Sequence, residues 1–298
     1  MNEKVLDAFS KMLDFDTTAN LLTYDFVQQA LIAAAILGLL AGALGPLIVS
    51  RQWAFAVHGS SELSLTGASA ALLVGITVGL GAIVGSVVAA VMFALLGNKA
   101  RDRDSVIGVI MSFGLGLSVL FIWLYPGRTG TSFSLLIGQI VGVGQSGIQL
   151  LLVCAVLVLI VLAVVYRPLL FASTDPEVAL ARGVPVRALS VVFAVLVGVA
   201  CALGVQIVGA LLVLSLLITP AAAAARVTAS PLKATLLSIL FAEIAAVGGI
   251  LLSLAPGLPV STFVTTISFV IYLLCRAVGA TRKANSGRLV AALDIPGP

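Results

Sequence analysis

The sequence predicts an all-α fold, a polytopic bundle of eight or nine membrane-spanning helices. Three observations predict it. Of 298 residues, 61% are hydrophobic, and the mean hydropathy is +1.23. Charged residues are only 9%, against about 25% in soluble domains. The apolar runs are also long and continuous, whereas barrel strands are segments of about ten residues with alternating polarity. So few charges cannot cover a water-facing surface. The composition therefore excludes an ordinary soluble enzyme, a disordered tail and a disulfide-stapled secreted module.

A spanning helix needs about 20 apolar residues. Nine stretches meet that need: 28–50, 56–77, 79–97, 106–125, 148–166, 188–205, 207–225, 234–254 and 260–278. The pair 56–77 and 79–97 and the stretch 207–225 also suit re-entrant segments, which keeps eight spans open. Residues 28–279 form one membrane domain. Residues 1–27 precede it and carry Glu3, Asp7, Asp14, Asp16 and Asp25, unlike the basic, then apolar start of a signal peptide. Val5, Leu6, Phe9, Met12 and Leu13 recur there at helical spacing among charges, which predicts an amphipathic surface helix. Residues 280–298 form a tail.

Two connections are informative. Residues 126–147 are rich in Gly and Ser yet mildly apolar, which suits a half-inserted or surface-lying segment. Residues 167–187 predict a two-turn helix between spans. Ser173 or Thr174 can cap it, Asp175, Pro176 and Glu177 suit its first turn, and Gly183 with Pro185 ends it. Such a segment is either a docking element or a plain connecting turn.

The basic residues set an orientation. With the N-terminus outside, inner segments hold thirteen Lys and Arg, among them Arg51, Arg101, Arg182, Arg226 and Arg282, while outer segments hold three, Lys4, Lys11 and Arg128. The excess inside predicts N-out, C-in and a cell membrane location. It also accounts for the net charge of +4 without a nucleic-acid partner. Cys154, Cys201 and Cys275 are scattered in apolar stretches and form no CxxC pair, so they read as small buried hydrophobes. The chain lacks GxxxxGK[ST] and HExxH, and its one histidine has no paired nucleophile, so neither P-loop ATP binding nor intramembrane hydrolysis is indicated.

A charge at membrane depth costs about 2.5–3.5 kcal/mol on insertion scales and is a functional candidate for that reason. Three ionisable residues qualify: His58, Glu62 and Glu243. His58 and Glu62 are four positions apart and share a helix face. An imidazole and a carboxylate so placed can hold a borderline divalent cation in transit, or they can bond each other. Glu243 stands among Ala242, Ala245 and Ala246, where it either bonds a neighbouring group or lines a pathway. Gln206 reads as an outer turn residue, and Pro46 and Pro220 as helix kinks.

Four stretches together resemble the membrane permeases of metal-ion ABC importers, the zinc, manganese and iron uptake class. They are RQWAFAVHGSSELSLTGAS (51–69), DSVIGVIMSFGLGL (104–117), STDPEVALARGVPVRAL (173–189) and VQIVGALLVLSLLITPAAAAAR (205–226). The resemblance runs from about Phe26 to Gly279. It implies a permease-type bundle that is not itself an enzyme and has no cofactor of its own. Its cargo would be a divalent metal ion, and ATP would be hydrolysed on a separate ATP-binding subunit. An extracytoplasmic metal-binding protein and a second permease copy or homologue would complete the assembly. The 173–189 stretch matches the coupling helix, which assigns ATPase coupling to Asp175, Glu177, Ala179 and Gly183. His58 and Glu62 align with an Asp and His pair in exchanged order, and Thr66 stands where a Pro is usual; Glu243, outside these four stretches, stays a candidate for the pathway on its position alone. The rival readings are a cation transporter or channel that works without an ATPase, and an ABC permease for a siderophore or vitamin.

Overall fold

The computed structural model describes residues 15–96, 100–126 and 145–292. The positions Val5 to Leu13, most of 126–147 and the end of the tail lie outside the described residues. Every regular element among the described residues is an α-helix, in the order α1 (Phe15–Leu21), α2 (Asp25–Ser50), α3 (Ala54–Val74), α4 (Val78–Leu95), α5 (Ala100–Leu124), α6 (Gln145–Thr174), α7 (Pro176–Ala181), α8 (Val186–Val208), α9 (Ala210–Val227), α10 (Pro231–Leu254) and α11 (Val260–Ala292).

The nine long helices correspond one to one with the nine apolar stretches. Seven of them are long and apolar enough to cross a membrane. The two that fall short are α3 and α9, within the stretches whose spanning role the sequence leaves open. α3 is diluted by His58, Glu62, Thr66 and four serines, and the apolar part of α9 among the described residues, Leu212–Val227, is shorter than any of the seven. Two helices outrun their apolar cores. α11 has 33 residues, about 50 Å at 1.5 Å per residue, so it carries the chain without a break from the last span into the tail. α6 continues through Pro168 to Thr174, so the first part of the predicted 167–187 loop is helix. Pro46 and Pro220 lie inside α2 and α9.

α2 and α8 are the most buried spans and form the centre of the bundle. α2 packs on α10, α9 and α6, while α8 packs on α4, α6, α3 and α9. α5 and α11 are peripheral and leave large apolar side chains such as Phe113, Trp123, Phe269 and Leu274 exposed, as a helix facing lipid requires.

Within lipid, helices associate through close van der Waals contact, which favours small residues at crossings. Two crossings show this. A Cβ at Gly42 of α2 would overlap the backbone of Ile239 in α10, and one at Gly67 of α3 would fall on the carbonyl of Gly81 in α4. Gly67→Val should therefore push α3 from α4 and cost about 3 kcal/mol. A Cβ at Gly116 in α5 meets nothing within 4 Å, so Gly116→Val is the matched control. Thermal denaturation of the two variants in detergent tests the crossing, and equal melting temperatures would refute it.

Candidate functional site

The site begins at a sharp turn. α2 ends at Ser50, and α3 begins at Ala54. Between them Gln52 takes a left-handed φ of 54°, and the Trp53 amide bonds back to the Ile48 carbonyl. The turn lays α3 against α4, α5, α8 and α9. Gly59 of α3 lets Phe93 and Ile107 approach its backbone. The Thr66 hydroxyl donates to the Gly114 carbonyl at 2.9 Å and lies 2.8 Å from Ser118 Oγ, tying α3 to α5. The buried Cys201 thiol of α8 donates to the Val57 carbonyl at 3.6 Å, one residue before His58. Three helices thus immobilise α3 on its other faces. Gly67 is nine residues from His58, half a revolution round at 100° per residue, so the α4 crossing lies opposite the His58 and Glu62 face.

His58 and Glu62 are both half-buried. The Phe55 ring lies 6.3 Å from the imidazole, centroid to centroid. Ser61 Oγ donates to the His58 carbonyl at 2.7 Å, so this hydroxyl serves the backbone and leaves the imidazole alone. His58 Nδ1 is buried and has no hydrogen-bond partner. No hydrogen bond joins His58 to Glu62, so the sequence alternative of a mutually bonded pair is not the arrangement seen. A buried ring nitrogen without a partner forgoes about 1–3 kcal/mol, a cost that a transient cation or proton donor would offset.

Glu243 lies elsewhere. It sits on α10, whose main neighbours are α2, α11 and α9 rather than α3. A Cβ on Gly38 would come within 3.0 Å of Glu243 Oε1, so the carboxylate rests on the α2 backbone through the gap that glycine leaves. Among the described residues, no three His, Cys, Asp or Glu side chains gather at one point. The structure therefore keeps Glu243 apart from the α3 pair. Gln206 is also placed differently from the sequence expectation. It lies in the last turn of α8, not in a connecting turn, and donates to the Gly79 carbonyl at 3.4 Å.

At one end of the bundle, α7 follows α6 after a single residue. Its cap is Asp175, whose Oδ1 accepts from the Val178 amide at 3.0 Å, with Pro176 following at the first helical position. This corrects the Ser173 or Thr174 cap. Both hydroxyls bond back to α6, to the carbonyls of Leu169 and Leu170, and so belong to the helix before. Gly183 has φ 78°, a conformation that glycine adopts without strain, and it closes α7. Ala179 is fully buried against the bundle core. It fastens α7 down, while Asp175, Glu177, Val178 and Leu180 are exposed. A cleft of about 1570 Å³ opens beside α7, lined among others by Arg51, Asp175, Glu177, Leu180 and Arg187. Val178 and Leu180 could not be singled out from sequence, because a six-residue helix is too short to show an apolar face.

The match to known proteins covers this whole arrangement. The ABC 3 transport family matches residues 23–279. A manganese transport system membrane protein, MntC, of Halalkalibacterium halodurans is 30% identical, over 78% of this chain and 80% of its own length. A manganese import system permease protein, ScaB, of Streptococcus parasanguinis is 29% identical over 89% of this chain and 95% of its own. A solved structure, PsaBC from Streptococcus pneumoniae in complex with Fab, superposes with a TM-score of 0.79 at 26% identity, covering 88% of this chain and 95% of that one. From α2 into α11, and with seven helices able to cross a membrane, this multi-pass chain belongs to the ABC 3 transport family.

Proposed function

We propose that the chain is the membrane-spanning subunit of an ABC importer that moves a divalent metal ion into the cell, with its N-terminus outside and its C-terminus inside. The observation that carries the reading is the α3 pair: a buried His58 Nδ1 with no partner, and Glu62 one turn along on the same face. One nitrogen and one oxygen ligand hold a borderline cation weakly, as passage requires. The imidazole binds metal only in its neutral form. The relatives named for manganese make that ion the first choice of cargo, ahead of zinc and iron. A separate ATP-binding subunit docks on α7 and the cleft beside it, because the short capped helix offers exposed carboxylates and two apolar side chains to a partner. A metal-binding protein delivers the ion from outside, and a second permease copy completes the pathway against the open face of α3.

Uptake into proteoliposomes holding the chain, its ATPase and the binding protein tests this. Radiolabelled manganese should enter only with ATP, and excess unlabelled manganese should compete better than zinc. Entry driven by a proton gradient without ATP would favour the transporter reading instead. ATP-dependent entry of a metal chelate but not the bare ion would favour the siderophore reading.

A further inference from the structure

Arg51 closes α2, seven residues before His58. Its guanidinium reaches three acceptors on two other helices, α6 and α8. Nε donates to Ser173 Oγ at 2.6 Å, Nη1 to Ser190 Oγ at 3.4 Å and Nη2 to the Leu169 carbonyl at 3.5 Å. Its plane lies over the buried Phe193 ring, 5.0 Å from Cζ to the centroid. The same ring contacts Trp53, the first residue before α3, at 5.3 Å between centroids. Among the described residues no carboxylate forms an ion pair with Arg51. Burial lowers its pKa to about 10, so it stays charged at neutral pH. Its charge therefore strengthens bonds to neutral acceptors on both sides of α7: Ser173 lies two residues before the Asp175 cap, and Ser190 lies in the first turns of α8.

We propose that Arg51 is a positioning residue that transmits movement of α7 to α3. The bridge joins the two chain segments that hold α7 to the turn that aims α3, so a displacement of α7 must either carry the start of α3 with it or break three hydrogen bonds. His58 and Glu62 follow on that helix within about three turns of Arg51. The inference rests on the importer reading for its purpose and on the Arg51 contacts for its geometry. A plain alternative is that Arg51 only places a cation at the C-terminus of α2, where the helix dipole favours one. Lysine would serve that role equally. It has no planar fork and cannot reach three acceptors in fixed directions.

Two measurements on Arg51→Lys and on the double variant Ser173→Ala with Ser190→Ala decide it. In the full chain alone, in detergent, backbone hydrogen exchange over residues 176–186 should quicken by about tenfold while α10 exchanges as in the parent. In the reconstituted importer, metal ions moved per ATP hydrolysed should fall by about fivefold or more, a ratio that does not depend on how much ATPase is bound. Parental exchange over 176–186, or a parental ratio, in Arg51→Lys would overturn the proposal and leave the helix-dipole role. If the parent assembly hydrolyses ATP without moving metal, the importer reading fails by itself, and the exchange measurement still decides whether Arg51 holds α7.

Discussion

Replacing His58 or Glu62 by alanine should each cut ATP-driven metal uptake by about tenfold or more, with the assembly intact. Both side chains are half-buried on the face of α3 opposite its glycine crossing with α4, so neither truncation disturbs the packing of α3 on its neighbours. Each removes one of the two proposed ligands, and no third His, Cys, Asp or Glu gathers with them among the described residues to compensate. The exchanged variant, His58→Asp with Glu62→His, should recover more uptake than either alanine. It keeps one nitrogen and one oxygen donor a turn apart and restores the order usual in the permeases that the sequence resembles. The readout is initial uptake rate against metal concentration, alongside the amount of ATPase recovered with the chain. Normal transport by both alanine variants would remove α3 from the pathway and direct attention to Glu243 on α10.

Leu180→Asp should weaken capture of the ATP-binding subunit by about a hundredfold. Leu180 is 57% exposed on α7 in the isolated chain, so the substitution leaves the fold undisturbed and places a charge where an apolar contact would form. Gly183→Trp should act in the same direction. A Cβ at Gly183 meets nothing within 4 Å, so the indole projects from the end of α7 into open space on the proposed docking side. Its positive φ adds strain of about 1–2 kcal/mol. Ala179 gives the contrast: it is fully buried, and Ala179→Leu should lower the stability of the chain itself. Pull-down of the ATPase, with melting of the chain measured separately, distinguishes the two classes. Full ATPase capture by Leu180→Asp would show that docking does not use the exposed face of α7.

The number and order of the long helices were legible in the sequence, because in lipid each backbone polar group must be satisfied within its own helix and each span must match a fixed thickness. Those are local demands, met by about 20 consecutive apolar residues. His58 and Glu62 were legible for the same reason: a charge in an apolar run stands out, and a spacing of four places both on one face wherever the helix lies. α7 was legible in outline through Pro176 and Gly183, whose backbone restrictions act without neighbours.

Three features depended on tertiary structure. Asp175 rather than Ser173 or Thr174 caps α7, because α6 runs on to Thr174 and takes both hydroxyls for its own carbonyls. Glu243 is separated from the α3 pair because Gly38 gives it room against α2, a matter of which helices pack together. Arg51 was visible only as the lone basic residue between the first two apolar stretches. Its partners Ser173 and Ser190 lie 122 and 139 positions away. A side chain's own sequence neighbourhood limits where its helix ends and which face it occupies, but contacts across such distances exist only once packing has brought α2, α6 and α8 to the same end of the bundle.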